Sequence, residues 1–114
     1  METEKESFDV ENARSQMRRG LLEFCTLVVI SKEEMYASDI LEALKAADLI
    51  VVEGTLYPLL SRLKGEGLLK YAWVESSAGP PRKYYSLTPK GRESLEKLKV
   101  TWKALNRSID SLTK

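Results

Sequence analysis

The chain contains no histidine and one cysteine, Cys25, in 114 residues. Without histidine, the commonest general base and the commonest metal ligand are missing. With a single cysteine as well, neither an internal disulfide, a Cys/His zinc site nor a Ser-His or Cys-His nucleophile pair can be built within one chain. There is no GxxxxGK[ST] phosphate loop and no GxGxxG. No apolar run approaches the roughly 20 residues that a bilayer crossing needs. The longest, residues 25–30, is short and follows Arg18 and Arg19. The opening METEKESFDVEN is acidic and polar, unlike a signal peptide. Together these absences point away from an enzyme, a cofactor, a metal and a membrane, and toward a cytoplasmic protein.

What is present suits one domain with a single core: 43% of residues are apolar and 31% charged. The formal net charge is +1, but it is unevenly spread. Residues 1–52 carry 6 basic and 11 acidic residues, whereas residues 53–92 carry 7 basic and 3 acidic. A basic middle in a near-neutral chain hints at an anionic partner, although a merely solvated basic surface gives the same count.

Residues 1–9 are polar and are expected to form a flexible N-terminus. From Val10 to about Ser31, Met17, Leu21, Phe24 and Val28 make one apolar row and Leu22, Cys25 and Val29 a second. This predicts a helix buried on more than one side, with Asp9 as N-cap. After a break at 32–35, Tyr36 to Ala47 reads as a second helix, and LIVV (49–52) as a stub strand. Leu56, Leu59, Leu60 and Leu63 give one apolar face to a third helix over about 53–66, ended by Gly67. Because proline is tolerated near a helix start, Pro58 places that start close to Gly54 or Thr55, with Thr55 helping to cap it. LLKYAWVE (68–75) and RKYYSL (82–87) are strand-like, and SSAGPP between them is turn chemistry. Alternation sends one of Tyr84 and Tyr85 to the core and the other to the surface, without saying which. Thr88 and Pro89 then start a helix running to about Leu112.

Three helices followed by a hairpin predict a mainly α fold with a small β-hairpin wing, a winged helix-turn-helix over 10–88. A long C-terminal helix follows over 89–114. In it, Leu95, Leu98, Trp102, Leu105, Ile109 and Leu112 step by 3, 4, 3, 4 and 3, an a/d seam. A homodimer in which two such helices meet is the favoured reading, and folding back on the first helix is the alternative. Trp102 reads either as a large core residue or as the aromatic wall of a gap between subunits, able to stack a flat ligand.

The stretches YASDILEAL (36–44), EGTLYPLLSRLKGEGLL (53–69) and GPPRKYYSLTPKG (79–91), with the weaker MRRGLLEF (17–24), resemble the short PadR-like transcriptional regulators in order and spacing. The resemblance covers about residues 17–92. It implies a dimeric winged helix that binds double-stranded operator DNA and usually represses. The recognition helix would offer Gly54, Thr55, Tyr57, Pro58, Ser61, Arg62 and Lys64 to the major groove. Small and hydroxyl residues at its start allow close approach, and Arg62 and Lys64 can reach phosphates. Tyr36 and Ser38 would hold a phosphate, and Arg82 and Lys83 on the wing would follow the backbone or dip into the minor groove. Drug-binding members carry a tryptophan where Trp102 lies, which implies a small aromatic effector at the dimer centre. Family members often have Ser-Pro where Val52 and Glu53 stand here, so the helix cap must come from elsewhere; Glu53 still suits the helix dipole. A winged helix used as a protein-interaction module is the rival class, and the set Arg62, Lys64, Arg82 and Lys83 argues against it.

Overall fold

In the computed structural model, which describes residues 8–49 and 51–114, four helices and three strands follow one another as α1 (Val10–Lys32), β1 (Met35–Tyr36), α2 (Ala37–Ala46), α3 (Glu53–Gly65), β2 (Leu69–Ser76), β3 (Gly79–Leu87) and α4 (Pro89–Thr113). Residues 1–7 of the expected flexible N-terminus lie outside the described residues. α1 starts as its sequence predicts: the Asp9 carboxylate accepts a hydrogen bond from the Asn12 N–H at 3.0 Å. At the start of α2 the Asp39 carboxylate reaches back and accepts from the Tyr36 N–H at 3.2 Å. It ends through Asp48 in the left-handed region (φ 65°), and the Leu49 N–H returns to the Leu44 carbonyl at 2.8 Å.

α3 starts at Glu53, as its apolar spacing predicts, but is capped differently. Its cap is the backbone of Val52, whose carbonyl accepts from the N–H groups of Thr55 and Leu56, both at 3.0 Å, with no capping side chain. Thr55 is therefore a donor inside the first turn rather than the cap, and Pro58 lies within the helix. The bond that Pro58 cannot donate would have gone to the Gly54 carbonyl. Both residues are exposed, so the Gly54 carbonyl is open to solvent. Leu56, Leu60 and Leu63 are fully buried, while Leu59 only packs against the rim of the core. They meet Leu27 and Ile30 of α1, Ile40 and Leu44 of α2, and Leu69, Tyr85 and Leu87 of the sheet.

The sheet order is β1-β3-β2, antiparallel throughout. The third strand is not LIVV: Leu49, Val51 and Val52 lie in no strand, and Ile50 is outside the described residues. Leu49 and Val51 instead pack on the core. The added strand is Met35–Tyr36, which pairs with Tyr85 and Tyr84 along the edge of β3 that β2 leaves free. The turn is also shorter than SSAGPP. It comprises Ser77 and Ala78, and Gly79, Pro80 and Pro81 belong to β3. Val74 pairs with Arg82 but Ser76 with Gly79, so the two prolines face Glu75 alone in a bulge. A bulge accommodates residues that have no N–H for the ladder. Of the two tyrosines, Tyr85 is buried in the core, and Tyr84 is half-buried with its ring 4.9 Å from that of Tyr36.

One junction joins these parts. Gly67 adopts φ 82° after α3, and its carbonyl accepts the Thr88 hydroxyl at 2.6 Å. The Thr88 N–H donates to the Leu68 carbonyl at 3.1 Å, and the Thr88 Oγ1 accepts from the Gly91 N–H at 2.9 Å. A Cβ on Gly91 would strike the Leu68 carbonyl oxygen. Beyond the junction, α4 packs on α1 and β3. Leu95 is buried in the chain's own core and Leu98 lies against it. The rest of the seam diverges from the domain: Trp102 is 37% exposed, Leu105 53%, Ile109 51% and Leu112 84%.

Gly91→Ala should therefore destabilise the fold by about 1–3 kcal/mol through overpacking, despite alanine's advantage of about 1 kcal/mol in helix propensity. Urea denaturation followed by circular dichroism measures this, and unchanged stability would mean that the junction opens freely.

Candidate nucleic-acid interface

Because Leu56, Leu60 and Leu63 turn α3's apolar face inward, helical spacing turns Gly54, Tyr57, Pro58, Ser61 and Lys64 outward. Between this outer face, the start of α2 and the wing runs an open groove of about 330 Å³. Tyr57 and Ser61 line it from α3, Tyr36, Ala37 and Ser38 from the start of α2, and Pro81, Arg82, Lys83 and Tyr85 from β3, with Trp73 from β2. Six of the residues expected at a DNA interface are thus brought to one cleft.

The cations of the groove are held by aromatic rings. The Arg82 guanidinium lies 3.9 Å from the centre of the Tyr36 ring and donates to the Ser38 hydroxyl at 2.7 Å. The Lys83 ammonium lies 4.6 Å from the Tyr71 ring centre and 5.5 Å from that of Trp73. Lys64 approaches Tyr71 at 5.4 Å. Among the described residues, none of these three cations is paired with a carboxylate. A ring orients a cation without cancelling its charge, so the groove keeps a positive field. Burial, with the nearby Tyr71 and Tyr57 phenols, pushes the Tyr85 hydroxyl above its usual range, so it stays neutral beneath the groove.

Two residues of the expected set go elsewhere. Arg62 turns toward α1, its Nη2 2.8 Å from Glu23 Oε1 and its Nη1 3.2 Å from Glu66 Oε2. These hydrogen bonds, Glu23 first, raise its already high pKa and offset its charge. Thr55 faces a separate pocket of about 210 Å³ that Arg18, Arg19 and Leu22 line from α1. Trp73 and Pro81 were missed by sequence reasoning. Strand alternation through Leu69, Tyr71 and Trp73 was the available signal for the first, since it sets Trp73 across from Lys83.

Trp102 borders a third site, an apolar groove of about 560 Å³ between α1, α2 and α4, with Phe24, Val28, Met35 and Leu44 among its walls. Its ring centre is 6.5 Å from that of Phe24. Cys25 lines the same groove, and burial raises its thiol pKa, which lowers the thiolate fraction. Among the described residues there is no group of three metal-capable side chains, and no helix is long and apolar enough to cross a membrane. Cys25 should react with a thiol-specific disulfide reagent at mildly alkaline pH much more slowly in the folded protein than in urea. Equal rates would place the thiol in solvent.

Comparison with known proteins gives a consistent picture. Residues 26–97 match the family described as "Transcriptional regulator PadR-like family". A PadR-like transcription factor structure from Bacteroides fragilis is similar, with 57% identity, a TM-score of 0.76, and coverage of 89% of this chain and 98% of that one. So is a PadR-like transcriptional regulator from Bacillus cereus, at 40% identity, TM-score 0.77 and coverage of 87% and 97%. A PadR family regulator from Eggerthella lenta is 30% identical over 92% of both chains, with a TM-score of 0.85.

Proposed function

This chain belongs to the PadR-like family of transcriptional regulators, and we propose that it binds operator DNA as a homodimer and represses transcription. The family is one of DNA-binding regulators rather than enzymes. The observation that carries the reading is the pair of unneutralised wing cations, Arg82 and Lys83, across a groove from the outer face of α3. A major groove roughly 12 Å wide admits one helix, and a wing beside that helix meets the flanking backbone. Gly54, Tyr57, Pro58 and Ser61 then approach the groove floor. Tyr36, Ser38, Lys64, Arg82 and Lys83 meet phosphates. Arg62 joins them by exchanging Glu23 for a phosphate, an exchange within reach because exposed ion pairs contribute only about 0–1 kcal/mol.

The exposed seam supports the dimer. Trp102, Leu105, Ile109 and Leu112 remain for a partner once Leu95 and Leu98 are used within the chain. A second copy of α4 supplies the matching seam. The apolar groove beside Trp102 supports a planar aromatic effector, whose stacking there would alter the spacing of the two winged domains.

A duplex taken from upstream of the chain's own gene should shift in a gel at low salt. If it does not, the protein-interaction reading replaces this one. Arg82→Ala with Lys83→Ala should lower the slope of log affinity against log salt by about 2, one phosphate contact each. Titration with planar aromatic compounds should quench tryptophan emission, and Trp102→Ala should abolish the quenching. Quenching that survives this change, with Trp73 as its source, would sink the effector site.

A further inference from the structure

Trp73 is 62% exposed on β2, a large exposure for an indole. It is nevertheless held in place. The buried Tyr85 ring meets Tyr71 edge-on, with centres 5.7 Å apart and planes at 61°. Tyr71 in turn meets Trp73 at 5.8 Å and 84°. An aromatic ladder therefore runs from the core out to the indole, and each step has the edge-to-face geometry that aromatic quadrupoles favour. Lys83 is the cross-strand partner of Trp73, and its ammonium sits near both outer rings. Trp73 shares its groove with Tyr57 and Ser61 of α3.

The geometry points to Trp73 as a non-ionic DNA contact, its indole packing on the deoxyribose of the nucleotide whose phosphate Lys83 binds. The inference rests on the operator-binding reading given above. A phosphate drawn to the Lys83 ammonium brings its own sugar within a few ångströms. The sugar presents mostly C–H groups, and the indole is the exposed apolar surface beside that ammonium. Covering the indole removes apolar area from water and releases no counterion. Lys83 and Trp73 thus supply different terms at one nucleotide: the first depends on salt and the second does not. The ladder fixes the ring before DNA arrives, so little side-chain freedom is lost on contact.

The test uses the full chain and a dye-labelled duplex from upstream of its gene, with affinity read by anisotropy and the indole by emission. Indole emission should change with the same midpoint as anisotropy. Trp73→Phe, which retains Trp102, should bind DNA with no emission change. Trp73→Ala should lose about tenfold in affinity, the scale of one aromatic contact, with an unchanged salt slope and an unchanged circular dichroism spectrum. Trp73→Phe should recover part of that loss. An emission change that persists in Trp73→Phe, a wild-type affinity in Trp73→Ala, or a loss accompanied by a shallower salt slope overturns the contact. Duplex binding with Trp73 silent overturns this inference alone, whereas no duplex binding by the wild type overturns it together with the regulator reading.

Discussion

The Leu68 carbonyl is the point on which the arrangement turns. It accepts the Thr88 N–H while Gly91 presses against it, and the Thr88 hydroxyl bridges from Gly67 to Gly91. Within these few residues α3 ends, β2 begins, β3 ends and α4 starts. The left-handed Gly67 lets the chain leave the helix and enter the strand through a connection of three residues, 66–68. Lys90 closes the outside by donating to the Glu66 carbonyl at 2.9 Å. The helix, the wing and the last helix are consequently fixed to one another, and the width of the groove between α3 and the wing follows from that fixation.

Side-chain partners then decide which cations are free to act. Arg82, Lys83 and Lys64 rest on tyrosines and a tryptophan, contacts of about 0.5–1 kcal/mol at exposed sites that leave the charge intact. Arg62 rests on two carboxylates and braces α3 against α1. The same residue type therefore stands over a ring at position 82 and between two carboxylates at position 62, and the difference lies in what stands opposite.

Much of this was legible in the sequence. The four helices follow from apolar spacing and from caps such as Asp9 and Thr88. Tyr36, Ser38, Arg82 and Lys83, singled out in the sequence as candidate DNA contacts, all line one groove. The parts that escaped depend on partners distant along the chain. Met35–Tyr36 is too short to show alternation and is a strand only because β3 offers it an edge. β-branched LIVV looked more strand-like, but Leu49 and Val51 pack on the core and lie in no strand. Gly-Pro-Pro resembles a turn unless the two prolines are known to form a bulge opposite Glu75. The ion pair to Glu23, 39 residues from Arg62, has no local signature. The six-residue seam of α4 is uniform in sequence, and the core divides it: Leu95 and Leu98 pack within the chain, Trp102 stands at the margin beside Phe24, and Leu105, Ile109 and Leu112 are exposed.

The prolines of the wing have a consequence of another kind. β1 covers the outer edge of β3 only at Tyr84 and Tyr85, so the stretch from Gly79 to Lys83 is an open strand edge. Such an edge is a template on which another extended chain can add. Here Pro80 and Pro81 offer no N–H to an incoming strand, the bulge breaks the regular repeat, and Arg82 and Lys83 repel a second copy of the same edge. The projecting hairpin is thereby protected against strand-on-strand aggregation.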